Sequence, residues 1–314
     1  MSRQVWPWST CIKAQHTDSE HNSEVFWSGP VNSRNTLLAA GRCSFTAVGW
    51  FERLMHLNLL TEVSFTNTDA GAIAEALLAA ARVLDPRLPI TLGTVELSRL
   101  RTITYAVDQN IGQAIIDLTQ LEAGFDWYIH PVTRTFNVVA RRGVERENAR
   151  WFFIGDGLSE HSNLSECEEV VDGSTIVNDI RPRGQFASGL ATDGVSQDDY
   201  GVFMEAPSLS DVVDTNILIA YANAEIVYRS QPRITYTMTP KPSSDDKVPK
   251  LFRDFDLGDT TYLVARRDYV DTKGVGARVF GATLSISDAG VESLASLQAE
   301  AYLTAIRPPV LGGG

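Results

Sequence analysis

The chain keeps switching between two hydrophobic periods, and that switching restricts its fold more than any other feature. Residues 101–107 (RTITYAV) alternate as a strand does, and a few residues later Ile111, Ile115, Leu118 and Leu121 follow at helical spacing. Such changes recur along the sequence, but no unit of about 20–50 residues repeats, which excludes a solenoid or a propeller. The pattern predicts an α+β protein: mixed, mainly antiparallel and barrel-like β domains with packed helices, not a parallel doubly wound sheet.

Residues 24–31 (EVFWSGPV) read as a short strand that stops in a turn at Gly29-Pro30. Over residues 44–60, Ala47, Trp50, Phe51, Leu54 and Leu57 share one stripe, which predicts an amphipathic helix with a bulky buried face. Asp69 opens a second helix, AGAIAEALLAAARVL, with Ile73, Leu77, Ala80 and Leu84 on its stripe and Pro86 as the stop. Asp108 is placed to cap a third, NIGQAIIDLTQLEA, which Gly124 ends. FDWYIH and TFNVVA form a hairpin across Pro131–Arg134. Strands are expected at 151–154, 167–172, 174–184 and 199–206, and a last long helix at 211–228, opened by Ser210. The final third is mostly β: a strand at 233–240, a polar loop at 241–247, a turn at 255–259 with Gly258 at positive φ, then TTYLVARR paired with ARVFGATLSIS. The domain expectation is an N-terminal segment 1–23, a first α+β domain 24–145, a second β-rich domain 146–298 containing a helix at 210–229, and a flexible tail 299–314.

Charge is distributed unevenly. The chain has 27 basic and 39 acidic residues, a net of −12, and the stretch 151–228 accounts for all of it, with Arg181 and Arg183 against 14 carboxylates. A pI near 4.9 argues against a basic face that grips nucleic acid. The acidic stretch is either a solvated face that aids solubility or a surface that repels another polyanion. No apolar run approaches the roughly 20 residues of a membrane span, and the opening residues do not read as a secretory signal. Cys11, Cys43 and Cys167 lie far apart, so neither a disulfide framework nor a CxxC pair is expected and the chain reads as made in a reducing compartment.

Motifs that carry chemistry are nearly absent. The sequence has no GxSxG, GxxxxGK[ST] or HExxH, and no GxGxxG follows a strand. Gly274 and Gly276 fit turn geometry within a hairpin better than a phosphate cradle. Cys11, His16 and His21 offer soft ligands without the tight ligand pair of a zinc site. His56 reads as a packed or cap-bonded side chain. Glu166, Glu168 and Glu169, and Asp198-Asp199 before Tyr200, supply carboxylates, but pairs arise readily in so acidic a stretch. His130, His161 and Ser162 form no recognisable triad. Trp127-Tyr128 and Trp151-Phe152 fit strand cores better than carbohydrate platforms. No catalytic, cofactor-binding or metal-ligating residue is expected, and the chain is not read as an enzyme.

The ordered pattern resembles the tail-hub, or minor tail, proteins of long-tailed, siphovirus-type bacteriophages. FWSGPV is followed by TAVGWFERLMHLNL, in which Ala47, Gly49, Trp50 and Leu54 fill that family's helix-segment pattern with Arg53 one place early. Gly124-Phe125-Asp126-Trp127 is similar to its strand into a hairpin, Asn178-Asp179-Ile180 up to Gly184 to a later strand, and Asp256-Leu257-Gly258-Asp259 to the turn before its last hairpin. The likeness covers roughly residues 24–290. Hubs usually carry an initial β domain for which residues 1–22 are too short, so the resemblance implies that another chain supplies it or that this is a shortened relative.

The resemblance implies a structural virion protein at the phage tail tip, assembled in host cytoplasm. It would form a homotrimer that closes or lines the DNA channel at the distal end of the tail tube. Its partners would be the distal tail ring protein, the tape-measure protein, other tail-tip proteins and, in transit, phage DNA. The alternatives are a tail-associated cell-wall hydrolase and a carbohydrate- or receptor-binding tip protein.

Overall fold

The chain divides into two units, Met1–Arg141 and Arg142–Gly314, each with its own apolar core. The computed structural model describes residues 5–17, 23–38, 42–96, 100–120, 125–145, 151–154, 162–208, 215–242, 248–267, 270–286 and 292–301. The class is α+β, as the alternating periods predict.

The first unit opens with an antiparallel sheet of β1 (Cys11–Thr17), β2 (Ser23–Leu37) and β3 (Arg42–Ala47), in that order. The expected turn at Gly29-Pro30 is corrected: β2 runs through it, with Cys11 opposite Pro30 and Ile12 opposite Gly29. Pro30 has no N–H to give, but its carbonyl accepts the Val48 N–H at 3.0 Å. The helix expected over 44–60 is corrected too. Residues up to Ala47 are extended in β3, and only Trp50–His56 coils, as a 3₁₀ segment. Ser44-Phe45-Thr46 suits a strand, and Gly49 interrupts the helical run. The spacing still selected the right side chains, because Trp50 and Leu54 are buried.

β4 (Val63–Asp69) leads into α1 (Ala70–Leu84). Asp69 caps the helix by accepting from the Gly71 and Ala72 N–H groups, and Ile73, Ala74, Leu77, Leu78 and Ala81 face the core. β5 (Thr91–Val95), β6 (Leu100–Tyr105) and α2 (Ile111–Gln120) follow. The α2 cap is Asn110, not Asp108. Asn110 Oδ1 accepts from Gln113 N–H at 2.9 Å, while Asp108 sits at φ 65° in the preceding turn. Gly124 lies outside the described residues. β7 (Asp126–Ile129) and β8 (Thr135–Val139) form the expected hairpin, β5 joins β8 in parallel, and β4 pairs with β6.

The second unit contains β9 (Trp151–Ile154), β10 (Leu164–Asp172), β11 (Asp179–Ile180), β12 (Ala191–Thr192), α3 (Gly194–Tyr200), β13 (Met204–Glu205) and α4 (Thr215–Arg229). It ends with β14 (Arg233–Pro240), β15 (Thr260–Arg267), β16 (Val270–Ile286) and β17 (Glu292–Ala301). Six strands form one sheet in the order β10-β14-β17-β16-β15-β9. The sheet curls until its edges meet: Asn163 donates its N–H to the Phe153 carbonyl at 3.1 Å and accepts the Phe153 N–H at 2.7 Å. The result is a nearly closed barrel filled by Phe152, Leu164, Tyr236, Met238, Leu263 and Leu297.

Two expected strands are much shorter. Within 174–184 only Asp179–Ile180 forms a strand, with Arg183 as an isolated bridge residue, because Pro182 and the bend at Gln185-Phe186 end the run. Within 199–206 only Met204–Glu205 is β, since Asp199 and Tyr200 belong to α3. Gly274 and Gly276 lie within β16, Gly276 opposite Tyr262, and not in a turn. Ser210 and residues 211–214 lie outside the described residues, as do 243–247 and 302–314.

Candidate functional site

Three stretches that carry the family resemblance are packing devices. In the first unit, the indole N–H of Trp50 donates to Ser28 Oγ at 2.9 Å, and Ser28 Oγ donates to the Pro131 carbonyl. Between them a Cβ on Gly29 would lie 1.8 Å from the Val48 carbonyl oxygen, so only glycine allows the two segments to approach. The Arg134 guanidinium stands 4.4 Å over the Trp50 ring. FWSGPV and AVGWFER thus meet each other and the loop of the β7–β8 hairpin.

In the second unit, Gly258 at φ 95° donates its N–H to the Val279 carbonyl at 2.7 Å. Asp259 accepts from Val144 N–H at 2.7 Å and from Asp256 N–H at 2.9 Å. Gly143, at φ 88°, crosses Gly258 so closely that a Cβ would lie 2.1 Å from its carbonyl carbon. The Asp256–Asp259 turn therefore ties the start of this unit to its barrel.

Asn178 organises the small β11–β12–β13 sheet. Fully buried, it donates to Ser196 Oγ at 3.0 Å and to the Gly201 carbonyl at 2.7 Å, and it accepts from Phe203 N–H at 2.8 Å. Next to it the Arg181 guanidinium makes a two-pronged contact with Asp179, at 2.7 and 2.9 Å. That hydrogen bond holds the Asp179 carboxyl below the usual carboxylate range, against the opposing effect of burial.

The candidate catalytic groups are scattered. Glu166, Glu168 and Glu169 are exposed along β10, Asp198 and Asp199 sit on α3, and no hydrogen bond joins the two sets among the described residues. Between the β10 carboxylates, burial pushes the Cys167 thiol up to about 11, with the Glu169 charge adding to it. Burial and the neighbouring Asp199 push the Tyr200 hydroxyl up. His130 Nδ1 accepts the N–H groups of Val132 and Thr133 and so caps the β7–β8 turn, while Ser162 Oγ donates to the Leu164 carbonyl at 2.8 Å. His161 and His21 lie outside the described residues.

His56 differs from its expectation as a packed or cap-bonded side chain: it is exposed, with its ring centroid 5.3 Å from that of Trp8 in an edge-to-face contact. Trp127 stacks between Phe51 and Phe136 at 4.2 and 5.6 Å, in the core as expected. Phe152 is buried in the barrel, and the Trp151 side chain is outside the described residues. Among the described residues no three His, Cys, Asp or Glu side chains group as a metal site, and no helix is long and apolar enough to cross a membrane. Cys11, Cys43 and Cys167 are free thiols.

What the described surface offers instead is exposed apolar area interleaved with carboxylates. Phe186 (87% exposed), Val202, Met204, Val227 and Tyr228 are all uncovered in the acidic stretch. Reading for catalytic motifs missed this surface. The signal was present in pairs such as Val202-Phe203, which stand beside carboxylates with no apolar periodicity to bury them.

No family model matches the chain, and no curated protein does. Solved structures do. A tail protein from Neisseria meningitidis MC58 aligns over 88% of this chain and 80% of its own, with TM-score 0.60 and 11% identity. A prophage tail protein from Listeria monocytogenes EGD-e aligns over 92% and 84%, with TM-score 0.52 and 13% identity. The 43 kDa tail protein of prophage MuSo2 from Shewanella oneidensis aligns over 87% and 77%, with TM-score 0.54 and 10% identity. The chain shares its fold with these tail proteins through both units.

Proposed function

We propose that this chain is a structural component of a phage tail, and within the tail the hub at the distal end of the tube. One observation carries the reading: its fold, across nearly nine-tenths or more of its length, is that of three tail proteins from different bacteria. The packing devices support it, because the stretches that resemble the hub family are spent on holding the fold together and not on chemistry. The reading is of assembly without catalysis.

In this role the chain forms a trimeric ring that connects the tube to the tail-tip parts. Its neighbours are the distal tail ring protein, the tape-measure protein and other tip proteins, and DNA passes through its channel in transit. The acidic stretch 151–228 then lies partly on the channel wall. A wall rich in lysine and arginine would bind backbone phosphates and slow transit, whereas carboxylates leave DNA unheld.

Two measurements test the reading. Antibody raised against this chain should label the distal tail end of intact particles; label on the head or along the tube would overturn it. Replacing exposed carboxylates of 162–208 by their amides should leave particles intact and slow DNA ejection. Unchanged ejection kinetics would remove the acidic stretch from the channel wall.

A further inference from the structure

One element of the first unit has no core of its own. Past Val31, β2 and β3 continue as a two-stranded arm in which Ser33 pairs with Thr46, Arg34 with Phe45, Asn35 with Ser44, Thr36 with Cys43 and Leu37 with Arg42. Every residue from Asn32 to Leu38 and from Arg42 to Thr46 is exposed, so both faces of the arm meet solvent. Leu38 is 87% exposed, Leu37 59% and Phe45 47%. Among the described residues, the one contact it receives from outside the ribbon is at Arg34, whose guanidinium donates to the Val5 carbonyl at 2.9 Å and stands 5.1 Å over the Trp6 ring. A two-stranded ribbon so little covered is marginal in water, and apolar side chains gathered on it mark an interaction surface. The arm is also basic: residues 31–47 contain Arg34 and Arg42 and no carboxylate. The outer edge of β3 has no ladder partner among the described residues.

The second unit carries the complement. β10 is the end strand of the six-stranded sheet, and beyond Leu164 its outer edge has no ladder partner among the described residues. Glu166, Glu168, Glu169 and Asp172 are exposed along it with no basic residue between, and Val170 and Val171 are exposed beside them. An open edge is a template for an added strand, and charge on it selects which strands it takes.

We propose that the β2–β3 arm of one copy seats on the β10 edge of a second copy of this chain, strand against strand, with Arg42 among the β10 carboxylates. The pairing is specific by charge. Two β10 edges would set carboxylates against carboxylates and two arms would set arginines against arginines, so only arm on edge joins opposite signs. Such a contact is head-to-tail, and head-to-tail contacts close into rings when the rotation permits. This deepens the ring reading by naming its seam, and it rests on that reading.

Light scattering on the full chain, on Arg42→Glu, on Glu168→Lys with Glu169→Lys, and on the combination of all three tests the seam. All these positions are exposed, and thermal melts at the wild-type temperature will show that each variant folds. The wild-type chain is expected to be oligomeric, each charge reversal to shift it towards monomer, and the combined variant to recover the wild-type mass. Reversals that leave the oligomer intact overturn the seam while the ring reading stands, and so does dispersal that the combination fails to rescue. A wild-type chain that stays monomeric at the highest concentration reached overturns self-docking. The ring reading is then decided separately, by the copy number in assembled particles.

Discussion

Trp50 and Ser28 are joined by a hydrogen bond of 2.9 Å from the indole N–H to the hydroxyl oxygen, and both side chains are buried. Twenty-odd residues of hairpin separate them in sequence, so this bond fixes where the 3₁₀ segment returns against β2. Trp50→Ala should cost about 3–5 kcal/mol through lost packing. Ser28→Ala should cost about 1–3 kcal/mol, because it leaves a buried N–H without its acceptor. Denaturant melts of both single variants and the double variant should show the costs to be non-additive. Additive costs would mean the two side chains act independently.

Gly29 supports the same contact by having no side chain. A Cβ there would lie 1.8 Å from the backbone oxygen of Val48, an atom that cannot rotate away. Gly29→Ala should therefore destabilise by about 1–3 kcal/mol or more, as overpacking does. A variant with wild-type stability would show that the two segments separate freely.

The Asn178 side chain holds three hydrogen-bond partners from zero exposure. Asn178→Ala should strand the Phe203 N–H and the Gly201 carbonyl, at a cost of about 1–3 kcal/mol for each buried group left unpaired. Hydrogen exchange should accelerate first around Phe203. Unchanged protection there would place the organising contacts elsewhere.

Asp179 predicts the direction of acid sensitivity. Its pKa is depressed in the fold by the Arg181 hydrogen bond, so its stabilisation is present above the unfolded carboxylate value of about 3.9 and is lost as pH falls through the lower folded value. Asp179→Asn should be less stable than wild type at neutral pH, and the difference should shrink below about pH 4. A difference that stays constant through that range would remove the ion pair from the account.

Cys167 should react slowly with alkylating reagents. With its thiol pushed up to about 11 by burial and by Glu169, only about a thousandth is thiolate at pH 8. Its labelling rate should climb with pH well past the point where an ordinary thiol levels off. Levelling near pH 9 would contradict the burial of this strand face.

The α+β class and most long elements were legible in the sequence. Helix α1 was readable because the Asp69 cap, an alanine-rich stripe and Pro86 all agree, and the β7–β8 hairpin because its strands alternate around a clear turn. The stretch 44–60 misled because Trp50 and Leu54 have helical spacing while β-prone residues and Gly49 keep the preceding segment extended. Asp108 misled because Asn110, equally suited to capping, stands nearer the helix. Gly29-Pro30 looked like a turn, yet the glycine serves a close approach from a segment far along the chain, which no local pattern records. The exposed arm and acidic edge were equally illegible, since exposure depends on which strands become edges.

The most direct test of the central claim is a reconstruction of the tail tip in assembled particles. This chain is expected there as a closed trimeric ring at the distal end of the tail tube, with the DNA channel through its centre. Six copies in one ring would contradict the hub assignment and favour the adjacent distal tail ring, and absence of the chain from the tail would contradict the account altogether.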